Sequence, residues 1–177
     1  IGNDGVLPIL ADALGHKELA VRNQAGDVLS KLSKARKVDV ARTIIWLLNS
    51  HNVNVRRMAV EVARSVKDPN GELWPRMLVM LRDEDWWVRE RVMDALVEMA
   101  GKQLTPHMVQ MLQDPNDVMR RFAVDVLVRL EDEKSLGALI QTAREDTDWW
   151  AKEKAVEAIA AINDQRAVSY IVDLMNK

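Results

Sequence analysis

One spacing constrains this chain more than any other. The pairs Val21-Arg22, Val55-Arg56, Val88-Arg89, Met119-Arg120 and Ala151-Lys152 recur at steps of 34, 33, 31 and 32 residues. A period of that length marks a supersecondary unit that repeats and stacks. Four residues after the first member of each pair stands a small or β-branched apolar residue: Ala25, Ala59, Val92, Ala123 or Ala155. Eight after it come Leu29, Ala63, Leu96, Leu127 and Ile159, and eleven after it Leu32, Val66, Met99, Leu130 and Ile162. Offsets of 0, 4, 8 and 11 line one face of an α-helix, so these columns predict a buried stripe in every unit.

A second helical stretch precedes each pair. Leu14, Leu48, Leu81 and Leu112 lie seven residues upstream, and Ala143 takes that role in a fifth unit lengthened by one residue. Pro8, Pro75 and Pro106 stand six residues before three of those leucines, where a first helical turn tolerates proline because its missing N–H has no intrahelical partner. Between the two stretches run polar turns carrying Glu18, Asn52, Asp85, Asn116 and Asp148, four of them preferred N-cap types. Each unit is therefore a helix, a tight turn and a second helix. A hairpin of this size cannot bury its apolar stripe alone, so the units must stack as a solenoid. The expected units run approximately 3–34, 37–68, 70–101, 103–132 and 134–164, with a half-unit at 165–177, joined by short polar stretches such as Lys67 to Glu72 and Asn163 to Ala167. The start at Ile1 without a methionine and the closing half-unit lead us to expect a segment of a larger protein.

Composition narrows the function classes. The 25 basic and 27 acidic residues leave a formal charge of −2, which supplies no global field for a polyanion. No apolar run approaches the roughly 20 residues of a membrane-spanning helix. The lack of Cys excludes disulfides and thiolate metal sites and suits a reducing, cytoplasmic setting. His16, His51 and His107 fall in different units without metal-ligand spacing. No Gly-rich phosphate loop and no Ser-His-Asp arrangement is present, so no catalytic residue, metal or cofactor is expected.

The unit pattern resembles the HEAT-repeat family, in particular its short bacterial and archaeal type, to which the phycobilin lyases are similar. Asp85-Trp86-Trp87-Val88-Arg89, Asn52-Val53-Asn54-Val55-Arg56-Arg57-Met58-Ala59 and Asp164-Gln165-Arg166-Ala167-Val168 carry the resemblance. It implies an all-α, right-handed α-α superhelix, a brace role for Arg22, Arg56, Arg89, Arg120 and Lys152, and a concave face lined by the second helices. Two departures stand out: Ala151-Lys152 in place of Val-Arg, and Trp doublets at Trp86-Trp87 and Trp149-Trp150 that the family's turn lacks. The tetratricopeptide signature, which has a similar period, is absent.

On each second helix the more exposed positions lie at offsets 2, 6 and 9. Offset 6 is acidic throughout: Asp27, Glu61, Asp94, Asp125 and Glu157. Offset 2 reads Asn23, Arg57, Glu90, Arg121 and Glu153, which predicts i,i+4 pairs Arg57–Glu61 and Arg121–Asp125 worth about 0.3–0.5 kcal/mol each. Offset 9 holds Arg64, Val97 and Val128 among its members, an apolar drift along the face. These columns suit a protein or peptide partner, and the acidic row repels nucleic acid. A charged helix face is also commonly just solvated. A nucleic-acid-binding or base-processing solenoid using Trp as stacking platforms is the alternative, and a lyase-type HEAT protein is a weaker one. The doublets admit two readings, packing at joints, one indole on the core and the other on a neighbouring joint, or interface hot spots. Trp46 and Trp74, on first helices, are expected in the core or on the convex face. The last helix, Ala167 to Met175, leaves apolar surface through which the segment can dimerise.

Overall fold

A computed structural model describes residues 6–34, 40–66, 71–162 and 164–175. The joint residues 67–70 and Asn163 lie outside the described set. Among the described residues there is no β-strand. The helices are α1 (Val6–Leu14), α2 (Leu19–Lys34), α3 (Val40–Leu48), α4 (Val53–Ser65), α5 (Leu73–Met77), α6 (Trp86–Ala100), α7 (Thr105–Met111), α8 (Asp117–Leu130), α9 (Leu136–Glu145), α10 (Trp149–Ala161) and α11 (Gln165–Met175). Short 3₁₀ turns at Leu78–Arg82, Gly101–Leu104 and Glu133–Ser135 join some of them.

The chain falls into two compact units, Ile1–Met99 and Ala100–Lys177. In the first, α1 pairs with α2 and α3 with α4, while α2 also packs on α4 and α3 on α5. In the second, α7 pairs with α8, α9 with α10, α8 with α10, and α10 with α11. Of these, α1–α2, α3–α4, α7–α8 and α9–α10 are the helical hairpins that the repeat demands, and the others are contacts between repeats. The cause is the apolar stripe: every residue of the offset-4 and offset-8 columns is buried, and Val55, Val88, Met119 and Ala151 are buried at offset 0. Each fully buried Val, Leu, Ile or Met among them contributes roughly 1.5–3 kcal/mol to joining the helices.

Local signals act as their chemistry requires. Asn52 adopts extended backbone and its side chain accepts from the Asn54 N–H, and Asn116 does the same for Val118. Asp85 accepts from the Val88 N–H at 3.0 Å. Pro75 and Pro106 each stand within the first three residues of their helices, α5 and α7. α8 is capped by Glu131, whose N–H still bonds to the Leu127 carbonyl and whose φ of 46°, in the left-handed region, then turns the chain out of the helix.

One expectation changes, and one open alternative narrows. α9 buries Leu136, Leu139 and Thr142, while Ala143 is half-exposed. Thr142 can occupy the inner face because its hydroxyl donates to the Ala138 carbonyl at 3.1 Å, which satisfies it within the helix. Trp46 is 53% exposed and is not a core residue: Thr43, Ile44, Leu47 and Leu48 bury the inner face of α3 without it.

Candidate functional site

The arginine of each repeated pair bonds to the turn that precedes its own helix. Nη1 of Arg22 donates to the carbonyls of His16 and Lys17, that of Arg56 to Ser50 and His51, that of Arg89 to Asp83 and Glu84, and that of Arg120 to Asp114 and Pro115. Lys152 reaches the Arg144 carbonyl. Two of these arginines also clasp the following turn. Arg56 gives Nε and Nη2 to the Asp83 carboxylate at 2.8 and 2.9 Å and touches Glu84, and Arg120 gives the same pair to Asp146 at 2.9 Å each. The clasps are secluded, with side-chain exposures of 8% and 5% for Arg56 and Asp83 and of 13% and 5% for Arg120 and Asp146. Burial works to raise the Asp146 carboxyl, yet the Arg120 guanidinium and the Asp148 N–H hold it below its ordinary value. Arg56 and Arg120 thus each tie two turns together, whereas Arg22 and Arg89 bond to carbonyls of their own turn alone and Arg89 Nε is buried without a partner among the described residues.

The offset-2 arginines bind elsewhere than the helix pattern predicts. Arg57 donates Nε and Nη2 to Asp85 at 3.0 and 2.6 Å, and Arg121 donates the same groups to Asp148 at 2.6 and 2.9 Å. The expected Arg57–Glu61 and Arg121–Asp125 pairs do not form. Glu61 instead faces Arg64 at 3.8 Å and Arg91 at 3.7 Å, while Arg121 adds Asp117 at 3.5 Å. A bidentate fork on a carboxylate outcompetes a single exposed i,i+4 pair. The Arg57 and Arg121 guanidiniums, first among the causes, hold the Asp85 and Asp148 carboxyls below their ordinary value.

This pairing accounts for the second Trp of each doublet. Trp87 is half-buried between Arg57, 5.7 Å from the ring centroid, and Arg91 at 5.4 Å. Trp150 is half-buried between Arg121 at 5.9 Å and Lys154 at 6.0 Å. In both cases one cation comes from the preceding repeat and the other lies four residues along the same helix. Each cation–π contact is worth about 0.5–1 kcal/mol at such sites. Arg91 and Lys154 were not singled out by the repeat columns. The signal that marks them lies at offset 3, which is basic only in the two units that carry a doublet and reads Gln24, Met58 and Phe122 in the others.

The first Trp of each doublet behaves differently. Trp86 is 63% exposed and Trp149 is 70% exposed, so neither packs against a joint as the packing reading requires. In the N-terminal unit the second-helix surface also carries Arg64 bound to Glu98 through both Nε and Nη2, and Arg91 at 3.4 Å from Asp94. Glu90 is exposed and Val97 is half-buried. In the C-terminal unit Lys154 pairs with Glu157, Glu153 is exposed, and Asp125 and Val128 are half-buried. The predicted site residues of each unit therefore share its second-helix surface, but the cations among them are largely engaged by carboxylates. On α11, Val168 and Val172 are exposed while Ala167 and Tyr170 are buried. Among the described residues no helix is long and apolar enough to cross a membrane.

Paired antiparallel helices, a buried aliphatic column in each and guanidiniums bracing the turns define an all-α repeat protein. The family model described as HEAT repeats matches residues 41–117 and again 105–177. Together these cover well over half of the sequence, and the chain belongs to the HEAT-repeat family. No curated protein sequence matches it. Among solved structures it is similar to one engineered protein at 17% identity and a TM-score of 0.52, over 97% of this chain and 85% of that one. A second engineered protein gives 15% identity and 0.54, over 98% and 87%. At these identities the likeness shows the fold alone.

Proposed function

We propose that this chain is a non-enzymatic, cytoplasmic scaffold that binds a protein or peptide partner on its second-helix surfaces. One observation carries the reading: Trp86 and Trp149 expose most of their indole area beside a cation-held Trp87 and Trp150. Trp is the residue most enriched at interface hot spots, and an indole left in water beside satisfied charges has apolar area to gain from a partner. Around it, Glu61, Glu90 and Asp94 in one unit and Asp125, Glu153 and Glu157 in the other form the polar rim. Arg57 and Arg121 serve as fasteners rather than ligands, because each already spends its fork on a turn carboxylate. The same acidic rim makes nucleic acid an unfavourable partner at this surface.

The test is selection of peptides from a displayed random library on the full chain, followed by titration against variants. Charge reversal at Glu61, Asp94 and Asp125 together, and separately Trp86→Ala with Trp149→Ala, should each weaken the selected peptides by about tenfold or more, with helicity unchanged by circular dichroism. Unaltered affinity in both variants would discard the surface. A salt-titrated gel shift with single- and double-stranded DNA serves as the opposing arm, where tight binding with a steep salt slope would replace the proposal.

A further inference from the structure

The chain itself shows how it holds a guanidinium. Arg57 lies 5.7 Å from the Trp87 ring centroid and gives its fork to the Asp85 carboxylate, and Arg121 lies 5.9 Å from the Trp150 centroid and gives its fork to Asp148. In both units, then, one indole and one carboxylate together receive one arginine. The combination is physically apt, because a planar guanidinium stacks on an aromatic face while its edge donates two parallel hydrogen bonds.

Each doublet helix carries the same two groups a second time, on its outward side. Trp86 opens α6 and Glu90 follows one turn later, while Trp149 opens α10 and Glu153 follows one turn later. Residues i and i+4 share a helix face with Cβ atoms about 5–6 Å apart, and a long side chain at i+4 leans back over the turn that holds i. Trp86 and Trp149 are mostly exposed, and so are both glutamates. Among the described residues no cation of the chain lies over either of these indoles. The cations of the second-helix surfaces are spent elsewhere: Arg57 on Asp85, Arg64 on Glu98, Arg91 on Glu61 and Asp94, Arg121 on Asp117 and Asp148, and Lys154 on Glu157. Glu90 and Glu153 enter none of these pairs. Each unit therefore sets a carboxylate that stands outside its ion pairs one helical turn from an open indole.

We infer that Trp86 with Glu90, and Trp149 with Glu153, each take one arginine side chain of a basic partner segment, its guanidinium stacked on the indole and forked on the carboxylate. The inference rests on the scaffold reading of the second-helix surfaces and gives that partner its chemistry. An acidic segment or a phosphate backbone would set negative charge against Glu90 and Glu153. Lysine brings the charge without the planar fork, so arginine is the residue these pairs select.

The experiment uses the full chain and a short fluorescein-labelled peptide of alternating arginine and serine, followed by fluorescence anisotropy. A lysine–serine peptide of equal charge is the comparison. Saturable binding of the arginine peptide is expected, tighter than that of the lysine peptide and weakened at least about fivefold by Trp86→Ala with Trp149→Ala, and likewise by Glu90→Gln with Glu153→Gln. Asp12→Asn with Glu145→Gln makes the same change in net charge at exposed positions on the first helices α1 and α9, and should leave binding unchanged. No saturable binding, or undiminished binding in either test variant, would overturn the inference. Equal binding of the lysine peptide, or equal loss in the first-helix variant, would overturn it too, since charge alone would then suffice. Failure here is distinguishable from failure of the scaffold reading. Library-selected peptides that weaken with the indoles gone but bind Glu90→Gln with Glu153→Gln undiminished would remove the arginine site and leave the surface. Peptides indifferent both to the indoles and to charge reversal at Glu61, Asp94 and Asp125 would remove the surface and the arginine site with it.

Discussion

Replacing Arg120 with Met should be among the more damaging single changes available in the C-terminal unit. The substitution keeps an unbranched apolar stem but removes both bonds to Asp146 at 2.9 Å and the bonds to the Asp114 and Pro115 carbonyls. Asp146 is left as a carboxylate whose side chain is only 5% exposed, with the Asp148 N–H at 2.8 Å as a remaining donor. Breaking one side of a buried pair costs about 3–5 kcal/mol, and the surviving N–H bond places this case near the lower end, at about 3–4 kcal/mol. With a urea m-value of about 2 kcal/mol per molar, the unfolding midpoint should fall by roughly 1.5–2 M. Arg22→Met is the internal control. Arg22 bonds only to the His16 and Lys17 carbonyls and has no carboxylate partner among the described residues, so its loss should cost about 1 kcal/mol. Adding Asp146→Asn to Arg120→Met removes the stranded charge and should recover about half of the loss. Urea titrations followed by far-ultraviolet circular dichroism give all three numbers. The clasp argument fails if Arg120→Met costs no more than Arg22→Met, or if Asp146→Asn deepens the loss instead of relieving it.

Two further outcomes follow from the same contacts. Trp87→Ala should destabilise by about 1–2 kcal/mol, since two cation–π contacts go with it, whereas Trp86→Ala should stay within about 0.5 kcal/mol as an exposed position; equal effects in urea titration would contradict the distinction drawn within the doublet. Asp85, Asp132, Asp146 and Asp148 all titrate below the ordinary 3.8 in the folded chain, and Arg166 holds the Asp164 carboxyl down at about 2. Folded values below unfolded ones mean that the stabilisation is fully present above about pH 5 and is lost as pH falls through about 4 and below. An acid titration in fixed sub-denaturing urea should show that limb, flattened in Asp146→Asn, and a loss centred above pH 5 would refute it.

The hairpins were legible in the sequence because burial of a helix stripe is a local, periodic demand: Ala59, Ala63, Ala123 and Leu127 must face inward whatever surrounds them. The Arg-to-carbonyl bonds were legible for a similar reason, since a turn always offers unsatisfied carbonyls within reach of the next helix. What the pattern did not disclose were choices made across repeats. Arg57 selects Asp85, 28 residues away, over Glu61 one turn along its own helix, because the distant carboxylate offers a fork and its neighbour a single contact. Trp86 and Trp87 are adjacent and chemically identical, and only the arrival of Arg57 from the preceding unit decides which of them is covered. Thr142 displaced Ala143 from the inner face because its hydroxyl could be satisfied within α9, a possibility that hydrophobicity alone ranks last.

The most direct test of the scaffold account is amide hydrogen exchange on the full chain, with and without a library-selected peptide. Protection should appear on the second helices, in the first turns of α6 and α10 around Trp86 and Trp149 and along the faces holding Glu61, Asp94 and Asp125. Protection confined to the first helices α1, α3, α5, α7 and α9 would contradict it.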